Sequence, residues 1–240
     1  MKKWSILLLS LLLSNPAIAA VGFDAGTPSG VAAADCSTGV SRNWTHEGGG
    51  AGTTALVVAG GDLAISSVTF NGVSLTVFNI QDDVRSMWAV ATTTFIAASG
   101  TVTVNSANDV FCGGSITFTG TGTTFASLIG GTSTLASASA ANYSISATTT
   151  AVDSMNFDVI TKGNAADITA TGNNQTLRIT DDHSGGISSE LSTQTATSTG
   201  VYTMSGTWTG AVSRRVMMAE IKAVAVAAVE EAVVTTVIIQ

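Results

Sequence analysis

Along most of this chain apolar and polar residues alternate with a period of two, the pattern of strands that bury one face. Leu56–Thr76 shows it most clearly. Asn71-Gly72 separates two short alternating segments there, and this pair suits a type I′ turn because both central residues take positive φ. With the pair at the tip, Phe70 stands opposite Val73 and Val68 opposite Leu75. Those four apolar groups then share one face, and Ser67, Thr69, Ser74 and Thr76 share the other. Just upstream, Ala55–Ala59 is apolar without alternation and predicts a more completely buried strand.

The same reading predicts further strands at Val21–Phe23, Val40–His46, Met87–Thr94, Thr101–Val104 and Asp109–Thr119. The last is expected to bend at Gly113-Gly114, since glycine pairs inside strands mark bulges or close backbone approach. Gly120–Ala141 has few large apolar residues and reads as a surface crossing with one short strand. Beyond it, strands are expected at Tyr143–Thr149, Met155–Ile160, Gln175–Thr180, Ile187–Thr195, Tyr202–Thr209 and Arg215–Ala223. About a dozen short strands, parted by Gly, Asn, Asp and Ser turns, predict an all-β fold: an antiparallel two-sheet β-sandwich of jelly-roll type. Nothing before residue 222 predicts an amphipathic helix.

The two ends depart from this pattern. Residues 1–20 read as a secretory signal peptide, with Lys2-Lys3, an apolar centre at Ile6–Leu13 and the small-residue site Ala17-Ile18-Ala19. Residues 21–223 then form one domain, exported to the extracellular space, the cell surface or the periplasm. Residues 224–240 form an apolar tail. Glu230-Glu231 argues against a membrane span there, and Val233, Val234, Val237, Ile238 and Ile239 make a β-branched, uncharged stretch. It is expected either to pack back as an extra edge strand or to join a neighbouring subunit in a homo-oligomer by strand addition.

Charge is scarce: 9 Lys and Arg against 16 Asp and Glu, a net charge of −7 in 240 residues. The basic residues are too dispersed to track a phosphate backbone, so nucleic acid is not an expected partner. Cys36 and Cys112 form an even pair in an exported chain. A bridge between them would stabilise by roughly 4 kcal/mol in the chain-entropy model; two buried free thiols are the alternative.

Trp44-Thr45-His46, Leu56-Val57-Val58, the segment Ser67–Thr76 and a closing Ala219-Glu220-Ile221-Lys222 together resemble a loosely defined group of exported bacterial or phage-associated β-sandwich modules. The resemblance covers roughly Val40 to Ala223. It implies adhesion, carbohydrate binding or a structural role, and it brings no catalytic residues.

Chemistry adds little that is specific. His183 follows Asp181-Asp182, but no Gly-x-Ser-x-Gly elbow accompanies it. Asp82-Asp83 and Asp181-Asp182 are weak calcium candidates, because neither has the alternating acidic spacing of a calcium loop; the plain reading is solvated turns. No other cofactor is expected. Trp44, Trp88 and Trp208 serve either as core anchors or as a platform for stacking a polysaccharide or cell-surface glycan. The expectation is a non-enzymatic module for surface adhesion or glycan binding, with a subunit of an extracellular filament or coat, joined through the tail, as the alternative.

Overall fold

The structure, a computed structural model, describes residues 18–23, 31–33, 36–47, 53–62, 65–80, 86–92, 99–122, 124–163, 166–183 and 186–225. The first strands are β1 (Ile18–Ala19), β2 (Gly22–Phe23), β3 (Val31–Ala33), β4 (Ser37–His46), β5 (Thr53–Asp62) and β6 (Ile65–Phe70). Next come β7 (Val73–Ser74), β8 (Thr76–Ile80), β9 (Ser86–Thr92) and β10 (Gly100–Thr119), then the short helix α1 (Phe125–Leu128). The second half holds β11 (Ile129–Thr149), β12 (Ser154–Lys162), β13 (Thr169–Ala170), β14 (Gln175–His183), β15 (Ile187–Ala196), β16 (Gly200–Ile221) and β17 (Val224–Ala225). The fold is all-β and every described strand pair is antiparallel. One sheet runs β7-β6-β10-β5-β9-β8, with β2, β3 and β4 also paired to β10; a second runs β11-β16-β12-β15-β14, with β13 paired to β16.

The Asn71-Gly72 turn forms as read, with φ of 49° and 78°. Phe70 pairs with Val73, and Leu75 donates its N–H to the Val68 carbonyl at 3.0 Å. Val68, Phe70 and Leu75 are buried, whereas Val73 is 61% exposed. It shares their face, but β7 is the two-residue outer strand of its sheet and, among the described residues, pairs only with β6.

Three apolar cores share their walls. In the first, Val57, Ala59, Ile116 and Phe118 of one sheet meet Phe157, Val159, Leu191 and Met217 of the other. The opposite face of β5, Leu56 and Val58, enters a second core with Trp44, Val68, Phe70 and Val104. The opposite faces of β12 and β16, through Ile160, Val216 and Met218, enter a third core with Tyr143, Ile145, Met204 and Trp208. This explains the unbroken apolar run of Ala55–Ala59: β5 is buried on both faces. Each fully buried Phe among Phe111, Phe118 and Phe157 contributes about 2–3 kcal/mol of apolar transfer.

Three segments differ from the sequence reading. Thr101–Val104 and Asp109–Thr119 are one strand, β10, with its register shifted between Asn105 and Asp109. Tyr202–Thr209 and Arg215–Ala223 likewise merge into β16, which ends at Ile221. The expected surface crossing at Gly120–Ala141 holds α1 and the first half of β11. No side chain from Ile129 to Ala136 is fully buried, so that stretch carries no apolar alternation to read. The long β11–β16 ribbon folds back on itself, and a Cβ on Gly131 would lie 1.9 Å from the Thr148 carbonyl of the same strand. Only glycine permits that approach.

Val21 is buried in the first core and donates its N–H to the Asp153 carbonyl at 2.8 Å. Preceding it, β1 lies within the expected leader and pairs with β17. Cys36 and Cys112 are bridged, 76 residues apart in sequence, which removes the free-thiol alternative.

Candidate functional site

Two of the three candidate tryptophans are turned into the core. Trp44 and Trp208 are each 8% exposed. Trp44 stacks on Phe111 at 6.1 Å and donates its indole N–H to the Ser115 hydroxyl at 3.0 Å. Trp208 packs against Tyr143 at 6.5 Å, with the Arg214 guanidinium 6.0 Å from its ring centre. Both are core anchors because alternation turns them inward on β4 and β16. Trp88 lies in β9, and its side chain is outside the described residues.

Asp181 is not a solvated turn residue. It lies within β14, buried, and accepts hydrogen bonds from the Cys36 N–H at 2.9 Å and the Gly113 N–H at 2.8 Å. The carboxylate therefore braces both sides of the disulfide. Its oxygen and the two sulfurs lie within 4.8 Å of one another, but bridged sulfurs carry no thiolate and the carboxylate is already occupied by backbone donors. Asp182 and His183 end β14, with side chains outside the described residues. Asp82, Asp83 and the tail positions Val233, Val234, Val237, Ile238 and Ile239 lie outside them altogether.

A concave surface does occur elsewhere, where β13, the turn that follows it and the start of β16 meet β15. It is an open depression of about 410 Å³ lined by hydroxyl, amide and apolar groups, with no charged side chain. The turn is local in origin: Asn174 takes φ of 55°, Gln175 donates its N–H to the Gly172 carbonyl at 3.2 Å, and a Cβ at Gly172 would meet the Gln175 side chain at 2.3 Å. Thr171 ties it to β16 through its N–H to the Ser205 carbonyl and a hydroxyl contact to Ser205, both 2.9 Å. The Gln194 amide nitrogen donates across the floor to the carbonyls of Asn173 (2.6 Å) and Thr203 (3.2 Å). Two carbonyl partners fix which end of that amide is nitrogen. Val201, 71% exposed, and Tyr202 supply the apolar part of the wall. The Tyr202 hydroxyl accepts from the Ser198 N–H at 3.2 Å, and its bond with the Ser198 hydroxyl holds the phenol below its ordinary pKa.

Two buried polar networks hold these walls. The Gln175 side-chain amide oxygen accepts from the Ser205 N–H at 2.9 Å, while the amide nitrogen donates to the Tyr143 and Ser192 hydroxyls, both at 2.7 Å. Tyr143 in turn donates to Asp158 at 2.6 Å, and Asp158 also accepts from the Ser192 N–H at 3.1 Å. Burial pushes the Asp158 carboxyl up to about 6, against the opposing hydrogen bonds from Ser192 and Tyr143. Burial, and then the charge of Asp158, push the Tyr143 phenol well above its ordinary value, so it stays a donor. In the second network Lys162 and Glu190 pair at 2.8 Å with almost no exposure. Glu190 also accepts the Ile168 N–H at 2.9 Å, which positions the chain entering β13. The chemistry available at the depression is hydrogen bonding plus contact with a ring and a small apolar side chain.

Sequence reading did not single out this place. Gly172-Asn173-Asn174 is a legible turn signal, and Asp158 is an acidic residue inside a predicted strand; neither says that the two meet through Gln175. Comparison of the chain with protein-family models, curated proteins and solved structures yields no match.

Proposed function

We propose that this protein is an exported, non-enzymatic β-sandwich module of the adhesion type, related to the exported sandwich modules it resembles, and that it binds a neutral glycan in the depression beside Tyr202. One observation carries the reading: a rigidly held concave surface offers hydroxyls, amides and an aromatic ring but no charge. Sugar rings present the complementary surface, hydroxyl edges around apolar C–H faces, and concave sites with a few placed polar groups suit such ligands. The sandwich reading draws support from the first core, which both large sheets line.

Affinity electrophoresis of the mature protein through gels containing neutral polysaccharides tests the proposal. Retardation is expected for the native chain, and Tyr202→Ala should weaken it about tenfold, or about 1.4 kcal/mol, measured at a temperature where the variant remains folded. Absence of retardation in every polysaccharide, or equal retardation of the variant, would refute it.

A further inference from the structure

At the margin of the third core two adjoining side chains present buried donors that have no acceptor. Among the described residues the Trp208 indole N–H and the Nε and Nη1 groups of Arg214 are buried without a hydrogen-bond partner. The guanidinium carbon lies 6.0 Å from the indole ring centre. The two residues flank a corner of β16, where Gly210 takes φ of 84° and Thr209, Gly210 and Ala211 are exposed. Trp208 and Arg214 themselves keep only 8% and 7% of their surface, so the pair stands where the core meets solvent.

The neighbours of Arg214 do not balance its charge. Its register partners on the flanking strands are Lys162 of β12 and Ser137 of β11, so no carboxylate stands across from it on either side. Lys162 is already paired with Glu190 at 2.8 Å, and Glu190 also takes the Ile168 N–H. The next residue, Arg215, donates to the Arg214 carbonyl at 2.8 Å. Burial alone lowers the Arg214 guanidinium from its ordinary value, the mark of a desolvated cation with no anion against it. Arginine has no acceptor atom and does not give up its proton, and the indole nitrogen is likewise a donor only. The complement of such a pair is a group that only accepts. A buried cation is tolerated when an anion meets it, and guanidinium donors match the oxygens of carboxylate, sulfate and phosphate groups.

We propose that Trp208 and Arg214 form a binding site for a small oxyanion or carboxylate, held by the charge of the guanidinium and by a hydrogen bond from the indole N–H. Neither residue lines the depression beside Tyr202, and the proposal is independent of the glycan reading. Isothermal titration calorimetry of the native protein at neutral pH tests it, with sodium sulfate, acetate or glucuronate replacing sodium chloride at constant ionic strength. Saturable binding of one ion per chain is expected. Arg214→Gln, which keeps a donor but not the charge, should weaken it at least about tenfold. Trp208→Phe, which keeps a ring but removes the N–H, should weaken it by a similar factor, and it decides the matter if Arg214→Gln fails to fold. A response to sulfate alone would assign a tetrahedral oxyanion, and a response to acetate and glucuronate alone would assign the carboxylate of an organic ligand; either outcome supports the site. No saturable heat with any of the three salts, or native affinity in either folded variant, would overturn the proposal.

Discussion

Asp158 offers the sharpest test of how the walls of the depression are held. Its carboxyl is 1% exposed, and burial raises it from 3.8 to about 6. Between those two values the native chain keeps a proton that the unfolded chain has released. Stability attributable to Asp158 is therefore fully present below about pH 3.8 and is lost as pH rises through about 6. At about 1.4 kcal/mol per tenfold change the whole window is worth about 3 kcal/mol, of which about 2 kcal/mol falls between pH 4.5 and 7.5.

Glu220 works in the opposite sense but in another window. Burial pushes it upward, yet the N–H groups of Thr150, Ala151 and Gly131 outweigh that and hold it below 4.5. Its contribution is present above that value and is lost as pH falls through the lowered one. Asp158→Asn, nearly isosteric with the protonated acid, removes the Asp158 titration while leaving every other group in place. Urea unfolding of both proteins should be followed by tryptophan fluorescence at intervals from pH 4.5 to 7.5. The stability of the variant relative to the native protein should rise by about 2 kcal/mol across that range. A flat difference, or one of opposite slope, would refute the argument that Asp158 is held against its charged form.

Other perturbations separate the remaining contributions. Lys162→Met leaves the Glu190 carboxylate buried without its cation and should destabilise by about 3–5 kcal/mol, while Lys162→Met/Glu190→Leu should recover most of the loss in denaturant titration. Cys36→Ala/Cys112→Ala opens a loop spanning 76 positions and should cost about 4 kcal/mol, read as a lower urea midpoint. Gly113→Ala would place a Cβ 2.3 Å from the Ala59 carbonyl in β5 and should cost at least about 3 kcal/mol or prevent soluble expression. Gly72→Ala meets no atom within 4 Å but must hold φ near 78°, so about 1 kcal/mol is expected.

What was legible follows from where burial is one-sided. Ser67–Phe70 buries Val68 and Phe70 on one face of β6, and the alternation, turn and register there could be read directly, whereas the register shifts at Ile65. In β12 every residue is buried, so the row opposite Met155, Phe157 and Val159 is covered as well: Ile160 enters the third core and Asp158 accepts from Tyr143 there. β10 and β16 looked like two strands each because a bulge and a turn leave the same mark in a pattern of period two. Long-range partners were hidden for a plainer reason: Asp181 and Cys36 are 145 residues apart, and spacing along the chain carries no information about a contact of that kind.

The largest change concerns charge. The sequence shows only that charge is scarce and dispersed. Yet Arg42, Asp158, Lys162, Asp181, Glu190, Arg214 and Glu220 are all buried, a substantial part of the 25 charged residues in the chain. The ones that pair or accept backbone N–H groups join segments distant in sequence: Asp181 joins β14 to the disulfide, Glu190 joins β15 to the approach to β13, and Glu220 joins β16 to both ends of β11. In a fold whose surface is largely Ser and Thr, buried charges with directional partners fix which segments meet, because a mispaired alternative would leave an ion desolvated without a partner. The same allocation leaves the depression beside Tyr202 without charge. A surface of that kind discriminates among partners by the placement of hydroxyls and amides rather than by ionic attraction, so binding there should change little between 0.05 and 0.5 M salt. A steep loss of glycan affinity over that range would show that charges elsewhere on the protein, not the depression, carry the interaction.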